Sequence, residues 1–305
     1  MGRQKRTVHN YDLFSGFQFY TPGVSGMLTL LVLLLCGGCL GSFVTLAMAA
    51  TLGQQASLDY GTLISYPVMF IPPMMYASLK SKRNSMWDTG YALDSNNFGR
   101  CGGLVLAILA ALATLAAAYM TDAINAVMPK MPKWLEDALG SLTSEGNFVI
   151  NFICVSVLAP LCEEWLCRGE ILRGLLNSKK KSGQRTMSPA GAIVTSSLFF
   201  ALIHLNPWQA IPAFILGCLF GYVYYRTGSL KLTMLMHCVN NTFSLVCSRI
   251  PAFEDADNWI DVTGPKWYWL IFAACALLLV LIIREFRRVD TQSPAGNCDE
   301  IRVAD

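Results

Sequence analysis

The stretch Leu158–Leu176, LAPLCEEWLCRGEILRGLL, decides how this chain is read. Most of it is apolar, and apolar residues continue upstream to Phe148. A run of that length predicts a membrane helix. Yet Glu163 and Glu164 stand side by side within it, with Arg168 a turn later. A charged side chain at the centre of a membrane helix costs roughly 2.5–3.5 kcal/mol on insertion scales. Two adjacent carboxylates in such a place call for a function.

The composition agrees with a membrane setting. The 305 residues are 54% hydrophobic and 14% charged, with a mean hydropathy of +0.44. A soluble domain carries about 25% charged residues, so the chain reads as an all-α, polytopic membrane protein. The net charge of +3 gives no case for nucleic acid. The eleven cysteines lie mostly inside apolar runs and read as small hydrophobes rather than a disulfide framework. Cys36 and Cys39 form a CxxC inside a predicted span, where a redox or zinc role is not expected. The basic residues Arg3, Lys5 and Arg6 precede an apolar run longer than the h-region of a signal peptide. The opening MGRQKRT lacks the Ser or Thr of a myristoylation site.

Eight apolar stretches are predicted to be helical: 24–52, 61–79, 102–120, 148–176, 190–204, 208–225, 232–246 and 267–283. The fifth and seventh are short. With the N-terminus in the cytoplasm, 18 of the 23 Lys and Arg fall on the inner side. Lys130, Lys133, Arg249 and Lys266 fall outside, and Arg168 lies within a span. The positive-inside rule therefore predicts an integral membrane protein, read as a bacterial inner-membrane one, with both termini cytoplasmic. The Lys80–Arg100 segment, with Trp87 and Tyr91, is expected at the cytoplasmic interface, and the 121–147 loop is expected to hold a short interfacial helix. The chain divides into 1–147 (tail, three helices and loops), 148–248 (the segment carrying the chemistry) and 249–305 (last helix and cytoplasmic tail). No repeat of two halves is evident, which weighs against a transporter.

The polar residues that hydropathy does not explain fall on three segments. Glu163, Glu164 and Arg168 are on the fourth, Phe200 and His204 end the fifth, and His237, Asn240 and Asn241 are on the seventh. Only three histidines exist, and the remaining one is His9 in the tail. Glu164 and Arg168 are i, i+4 with the acid first, the better order for an ion pair. Glu163 is turned about 100° away, so it is left for chemistry. Pro160 is expected to open a helical turn and bring Glu163 near a helix N-terminus. Glu170 is assigned to the interface beside Arg173. His237 and Asn241 share a helix face. A carboxylate, two imidazoles and a carboxamide can activate water and stabilise an oxyanion. The same Glu163, His204 and His237 can instead hold a divalent metal such as zinc. One geometric tension stands out. His237 lies about 8 Å into its stretch and His204 about 22 Å into its own. The fifth segment is therefore expected to tilt, to start deeper, or to be followed by an inward-folding connection at Leu205–Trp208.

Three motifs now stand in order: EEWLCR for EExxxR, FALIH for FxxxH and HCVNN for HxxxN. Together they resemble the CAAX-protease and bacteriocin-processing (CPBP, or Abi) family of intramembrane proteases, related to type II CAAX prenyl endopeptidases, over roughly Phe148–Val246. The resemblance implies about eight helices around a conical cavity open to the cytoplasm or inner leaflet. It implies Glu163 as general base assisted by His204, His237 and Asn241 as oxyanion donors, and Glu164 and Arg168 as the residues that hold the site together, with Phe200 beside them. It is compatible with a metal-dependent or a metal-free glutamate mechanism. The substrate it implies is a peptide or membrane protein, lipidated or membrane-associated. Two other readings remain: a non-catalytic immunity or peptide-binding membrane protein, and a proton-coupled transporter.

Overall fold

The computed structural model describes residues 17, 20–84, 93–94, 98–143, 147–179, 182, 184–253, 256 and 258–289. The N-terminal tail with His9, the Trp87 and Tyr91 part of the predicted interfacial segment, and the C-terminal tail lie outside the described residues. The described residues are helical, with a single isolated bridge between Lys179 and Arg185. The all-α reading holds.

The helices are α1 (Val24–Leu52), α2 (Gln54–Asn84), α3 (Gly102–Asn125), α4 (Lys133–Thr143), α5 (Phe148–Asn177), α6 (Pro189–Leu202), α7 (Pro207–Thr227), α8 (Leu230–Cys247), α9 (Trp259–Thr263) and α10 (Pro265–Arg287). Each of the eight predicted stretches falls on one of them. α4 supplies the short helix expected between the third and fourth stretches. Side-chain caps start the helices of the site. Asn147 accepts from Val149 N at 2.9 Å, Ser188 from Gly191 N at 3.1 Å, Asn206 from Gln209 N at 2.9 Å and Ser229 from Leu232 N at 3.3 Å. Pro189 and Pro207 follow their caps directly, where a missing N–H is harmless. Gly228 ends α7 at φ 65°, a left-handed position suited to glycine.

The count of eight crossings is not reproduced by length and apolarity. Among the described residues, five helical runs reach that standard: Val24–Leu52, Gly99–Ile124, Phe148–Asn177, Pro207–Thr227 and Pro265–Arg287. α6 has 14 residues, about 21 Å long at 1.5 Å per residue, short of a hydrocarbon core of about 30 Å. α2 contains Pro67, Pro72 and Pro73, and α8 carries the His and Asn pair of its motif. Polar or short segments of this kind are tolerated where they line a protein cavity.

α5 is the central element. Every residue from Glu163 to Leu176 is buried. It packs against α2, α6, α7 and α8. One core gathers Trp165, Ile171 and Leu172 of α5 with Leu30, Phe70 and Phe200. A second joins Leu106 and Ala110 of α3, Phe220 of α7, Met236 of α8 and Ile282 of α10. The helical restart expected at Pro160 does not occur. Leu158 and Ala159 keep helical backbone angles, and α5 runs on through the proline. The wide π-helical turn Ile153–Leu158 just before Pro160 shifts the hydrogen-bond ladder, which accommodates the missing N–H. Glu163 therefore sits in mid-helix, without a free N-terminus to favour its charge.

α1 and α2 approach closely along Gly37 and Gly41. A Cβ on Gly37 would stand 2.0 Å from the Met69 carbonyl oxygen. Gly37→Val should force the pair apart and cost roughly 1–3 kcal/mol, the usual range for overpacking. The check is the thermal-unfolding midpoint of the purified protein in detergent, which should fall, while Gly38→Ala, whose Cβ would find the Met69 sulfur at 3.9 Å, should leave it nearly unchanged.

Candidate active site

Glu163 and Glu164 are carried by one α-helical turn of α5, between two π-helical turns, Ile153–Leu158 and Trp165–Leu172. Such turns occur mostly at functional sites because they re-aim side chains. The two acids have different surroundings. Glu164 is fully buried, and its Oε1 accepts from Arg168 at 2.6 Å and faces His237 Nδ1 at 3.0 Å. Arg168 also donates to the Gly217 carbonyl of α7 at 3.0 Å, and its guanidinium lies over the rings of Phe200 (4.6 Å) and Phe220 (5.4 Å). The predicted i, i+4 pair is present, and Glu164 has a second task that spacing did not show.

A carboxylate only accepts, so a neutral His237 donates through Nδ1–H to Glu164 and turns its Nε2 elsewhere. Nε2 lies 4.0 Å from Glu163 Oε2, an oxygen with no hydrogen-bond partner among the described residues. The other oxygen of Glu163, Oε1, accepts from the Tyr66 hydroxyl of α2. A water at the ordinary length of about 2.8 Å from both Oε2 and Nε2 would see them about 90° apart.

His204 lies just beyond α6, in a turn where its N–H reaches the Ala201 carbonyl at 3.2 Å and its Nδ1 stands 2.8 Å from the Phe200 carbonyl. A carbonyl only accepts, so Nδ1 carries the proton. The next residue, Leu205, has φ 57°, an uncommon left-handed value for a branched side chain. Asn206 steadies the turn by donating to the His204 carbonyl at 2.9 Å. The irregular connection expected here is thus present. The ring of Phe200 stands edge-on between the two histidines, 5.1 Å from His204 and 5.4 Å from His237. Asn241 donates to the Val155 carbonyl at 2.8 Å and accepts from Asn240 at 3.1 Å, leaving one amide hydrogen of its own. Asp94 places the start of α8 by accepting from Leu230 N at 2.8 Å.

Glu163, Phe200, His204, His237 and Asn241 all line one cavity of about 520 Å³. Glu164 and Arg168 lie behind its wall. Cys154, Val155 and Pro212 also line it, and so do Thr62 and Tyr66 of α2 and Trp259 of α9, from outside the 148–248 segment. Sequence reasoning missed Tyr66 because α2 carries no motif. Its only signal was a tyrosine in a helix interrupted by three prolines. Glu170, expected at the interface, is fully buried, with Arg173 3.8 Å away and also fully buried. Arg173 in turn donates to the carbonyls of Phe17 and Tyr20, tying the chain ahead of α1 to α5.

Among the described residues no three His, Cys, Asp or Glu side chains are gathered closely enough to hold a metal ion. Glu163 and His237 could offer two ligands, but His204 is not grouped with them as a third. The described residues as arranged do not fit the zinc set.

The cavity has a definite end. It is lined by the last turns of α3, α6 and α8 and the first half of α7, together with Trp259. Trp208 donates to the Pro129 carbonyl at 2.8 Å, and Trp259 N to Asp122 at 2.8 Å, at the same end. The loops rich in Lys and Arg lie at the other end of these helices. The resemblance implies a cavity open to the cytoplasm or the inner leaflet; in this fold the cavity lining and the described chain ends at Pro22 and Val289 lie toward opposite ends of the helices.

Three substitutions probe the arrangement. Arg168→Met should destabilise the protein by about 3–5 kcal/mol, as loss of one partner of a buried pair does. Adding Glu164→Gln should recover part of that loss in the same unfolding assay. Tyr66→Phe keeps the ring and removes one hydrogen bond to Glu163. If Glu163 is the working carboxylate, kcat/KM should fall roughly 10–100-fold, as loss of a bond to a charged group of about 1.5–3 kcal/mol implies.

Residues 145–243 match the family model described as type II CAAX prenyl endopeptidase Rce1-like. No curated protein and no solved structure matches the chain. The matched segment holds all three motifs, with Glu163 in the cavity lining and Glu164 behind it. In agreement with the resemblance read from those motifs, residues 145–243 of this all-helical membrane protein are similar to a family of CAAX-type intramembrane peptidases.

Proposed function

We propose that this protein is an intramembrane endopeptidase that hydrolyses a peptide bond of a membrane-associated or lipidated polypeptide, with Glu163 as general base. One observation carries the reading: the unpartnered Oε2 of Glu163 and Nε2 of His237 face each other across 4.0 Å in a cavity that admits water. Glu163 accepts a proton from the water as its oxygen attacks the carbonyl carbon. The carbonyl π pair becomes the oxyanion. Its donors are the spare amide N–H of Asn241 and, in its imidazolium form, Nε2–H of His237, whose Nδ1–H stays on Glu164. Collapse breaks the C–N bond, and the leaving amine takes the proton held by Glu163. His204, with Nδ1 fixed on the Phe200 carbonyl, turns Nε2 to the substrate and assists proton transfer.

The Glu164–His237 contact favours a second assignment of the base. A carboxylate that fixes Nδ1–H leaves Nε2 of a neutral imidazole as an acceptor, the arrangement of an acid–histidine dyad. In that scheme His237 takes the water proton and Glu163 orients the water. Tyr66 then serves orientation alone. The two schemes share the same water.

The membrane is proposed to be a bacterial inner membrane, and the partner a peptide or membrane-protein substrate. Comparative mass spectrometry of protein termini in cells carrying the wild type or Glu163→Gln tests the proposal. The variant should keep its thermal midpoint and lose roughly 10²–10⁴-fold in cleavage, the range for a general base. Termini unchanged by Glu163→Gln would remove the enzymatic reading and leave binding or immunity. Metal analysis of the purified protein, by plasma mass spectrometry before and after chelation, should give cleavage that does not follow zinc content.

A further inference from the structure

We infer that the cavity opens to the non-cytoplasmic face of the membrane, and that its substrates are polypeptide segments exposed on that face. The substrate half rests on the proteolytic reading above, whereas the orientation stands without it. Two independent observations meet here. The first is charge: among the described residues, 12 of the 17 Lys and Arg lie at one end of the helices, Arg168 lies between, and the other end holds Lys130, Lys133, Arg249 and Lys266. The positive-inside rule places the richer end in the cytoplasm. The second is packing, which makes the two ends physical surfaces rather than a diagram. At the basic end, Gly174 of α5 packs on Pro22 before α1, Gly99 before α3 on Val289 after α10, and Asp94 caps α8. At the opposite end, Trp208 joins Pro129 and Trp259 joins Asp122.

The cavity belongs wholly to this second end. From Glu163 in the middle of α5 it runs past Asn241, His204 and Gln209 to Trp208, Asn258 and Trp259. Exposed Trp134, Trp267 and Trp269 at the same end mark the level of the lipid headgroups, where tryptophan concentrates. The mouth therefore reaches the outer interface. Turning the protein over, to give the cavity to the cytoplasm, would carry the basic loops across the bilayer, each positive charge against the rule and against the attraction of anionic inner-leaflet lipid. A cytoplasmic C-terminal peptide would meet the basic end, away from the residues that line the cavity. A secreted or membrane-anchored chain that emerges on the far side would meet the open one.

The test uses the full-length protein in sealed bacterial spheroplasts and a membrane-impermeant maleimide. Val127→Cys is on the exposed loop after α3, Gln209→Cys is in the cavity wall, and Ser182→Cys is on the exposed loop after α5. None belongs to the catalytic machinery. Peptide mass spectrometry separates each new site from the native cysteines. Val127→Cys and Gln209→Cys should label equally in sealed and permeabilised spheroplasts, and Ser182→Cys roughly tenfold less when sealed, as a cytoplasmic loop requires. Labelling of Ser182→Cys in sealed spheroplasts, with the other two protected, would overturn the orientation. The Glu163-dependent termini should lie in segments outside the cytoplasm, and termini confined to cytoplasmic segments would overturn the substrate assignment. Absence of any Glu163-dependent terminus would overturn proteolysis instead, with the labelling pattern still deciding the orientation.

Discussion

One buried carboxylate oxygen, Oε1 of Glu164, holds the site together. It accepts from Arg168 on its own helix and from His237 on α8. Arg168 extends the tie to α7 through the Gly217 carbonyl, and its flat guanidinium fills the space between Phe200 and Phe220. A Cβ on Gly217 would meet Ser197 and Phe200 at 3.1–3.3 Å, so a residue larger than glycine would crowd the contact between α6 and α7 on which the cation rests. Charges buried this deeply are costly unless each is paired. The pairing fixes how α5, α7 and α8 stand relative to one another.

The same contact sorts the two adjacent acids. Glu164 is matched by a cation and by an imidazole N–H. Glu163 has a phenol on one oxygen, and its other oxygen is buried without a hydrogen-bond partner among the described residues. Two carboxyl groups one residue apart on a helix thereby receive unlike surroundings, the condition under which neighbouring acids take different roles. Tyr66 matters in this division, since its hydroxyl occupies one oxygen of Glu163 and leaves the other without a hydrogen-bond partner among the described residues.

The short and polar helices follow from the same geometry. α6 and α8 lie beside a cavity, and apolar helices such as α3, α7 and α10 pack around them. Length and apolarity are demanded of a segment that meets lipid, and relaxed for one that meets protein or water. The 14 residues of α6 suffice to deliver Phe200 to the centre and His204 to the rim.

Much of this was legible in the sequence because it depends on local chain geometry. Helix positions followed from apolar runs, their starts from Asn147, Ser188, Asn206 and Ser229, and the Glu164–Arg168 pair from the helical period of 3.6 residues. The three motifs identified the acids, histidines and asparagine of the cavity. Only the tertiary structure decided the rest. His237 meets Glu164 across 73 residues of chain, and Tyr66 meets Glu163 across 97. Pro160 leaves α5 unbroken because of the wide turn before it, and Glu170 is buried rather than interfacial because Arg173 turns inward to the chain ahead of α1. The end at which the cavity opens is likewise a matter of packing. Periodicity reports what one helix presents to its surroundings, but which side chains share a space depends on how separate helices cross, and no local pattern encodes that.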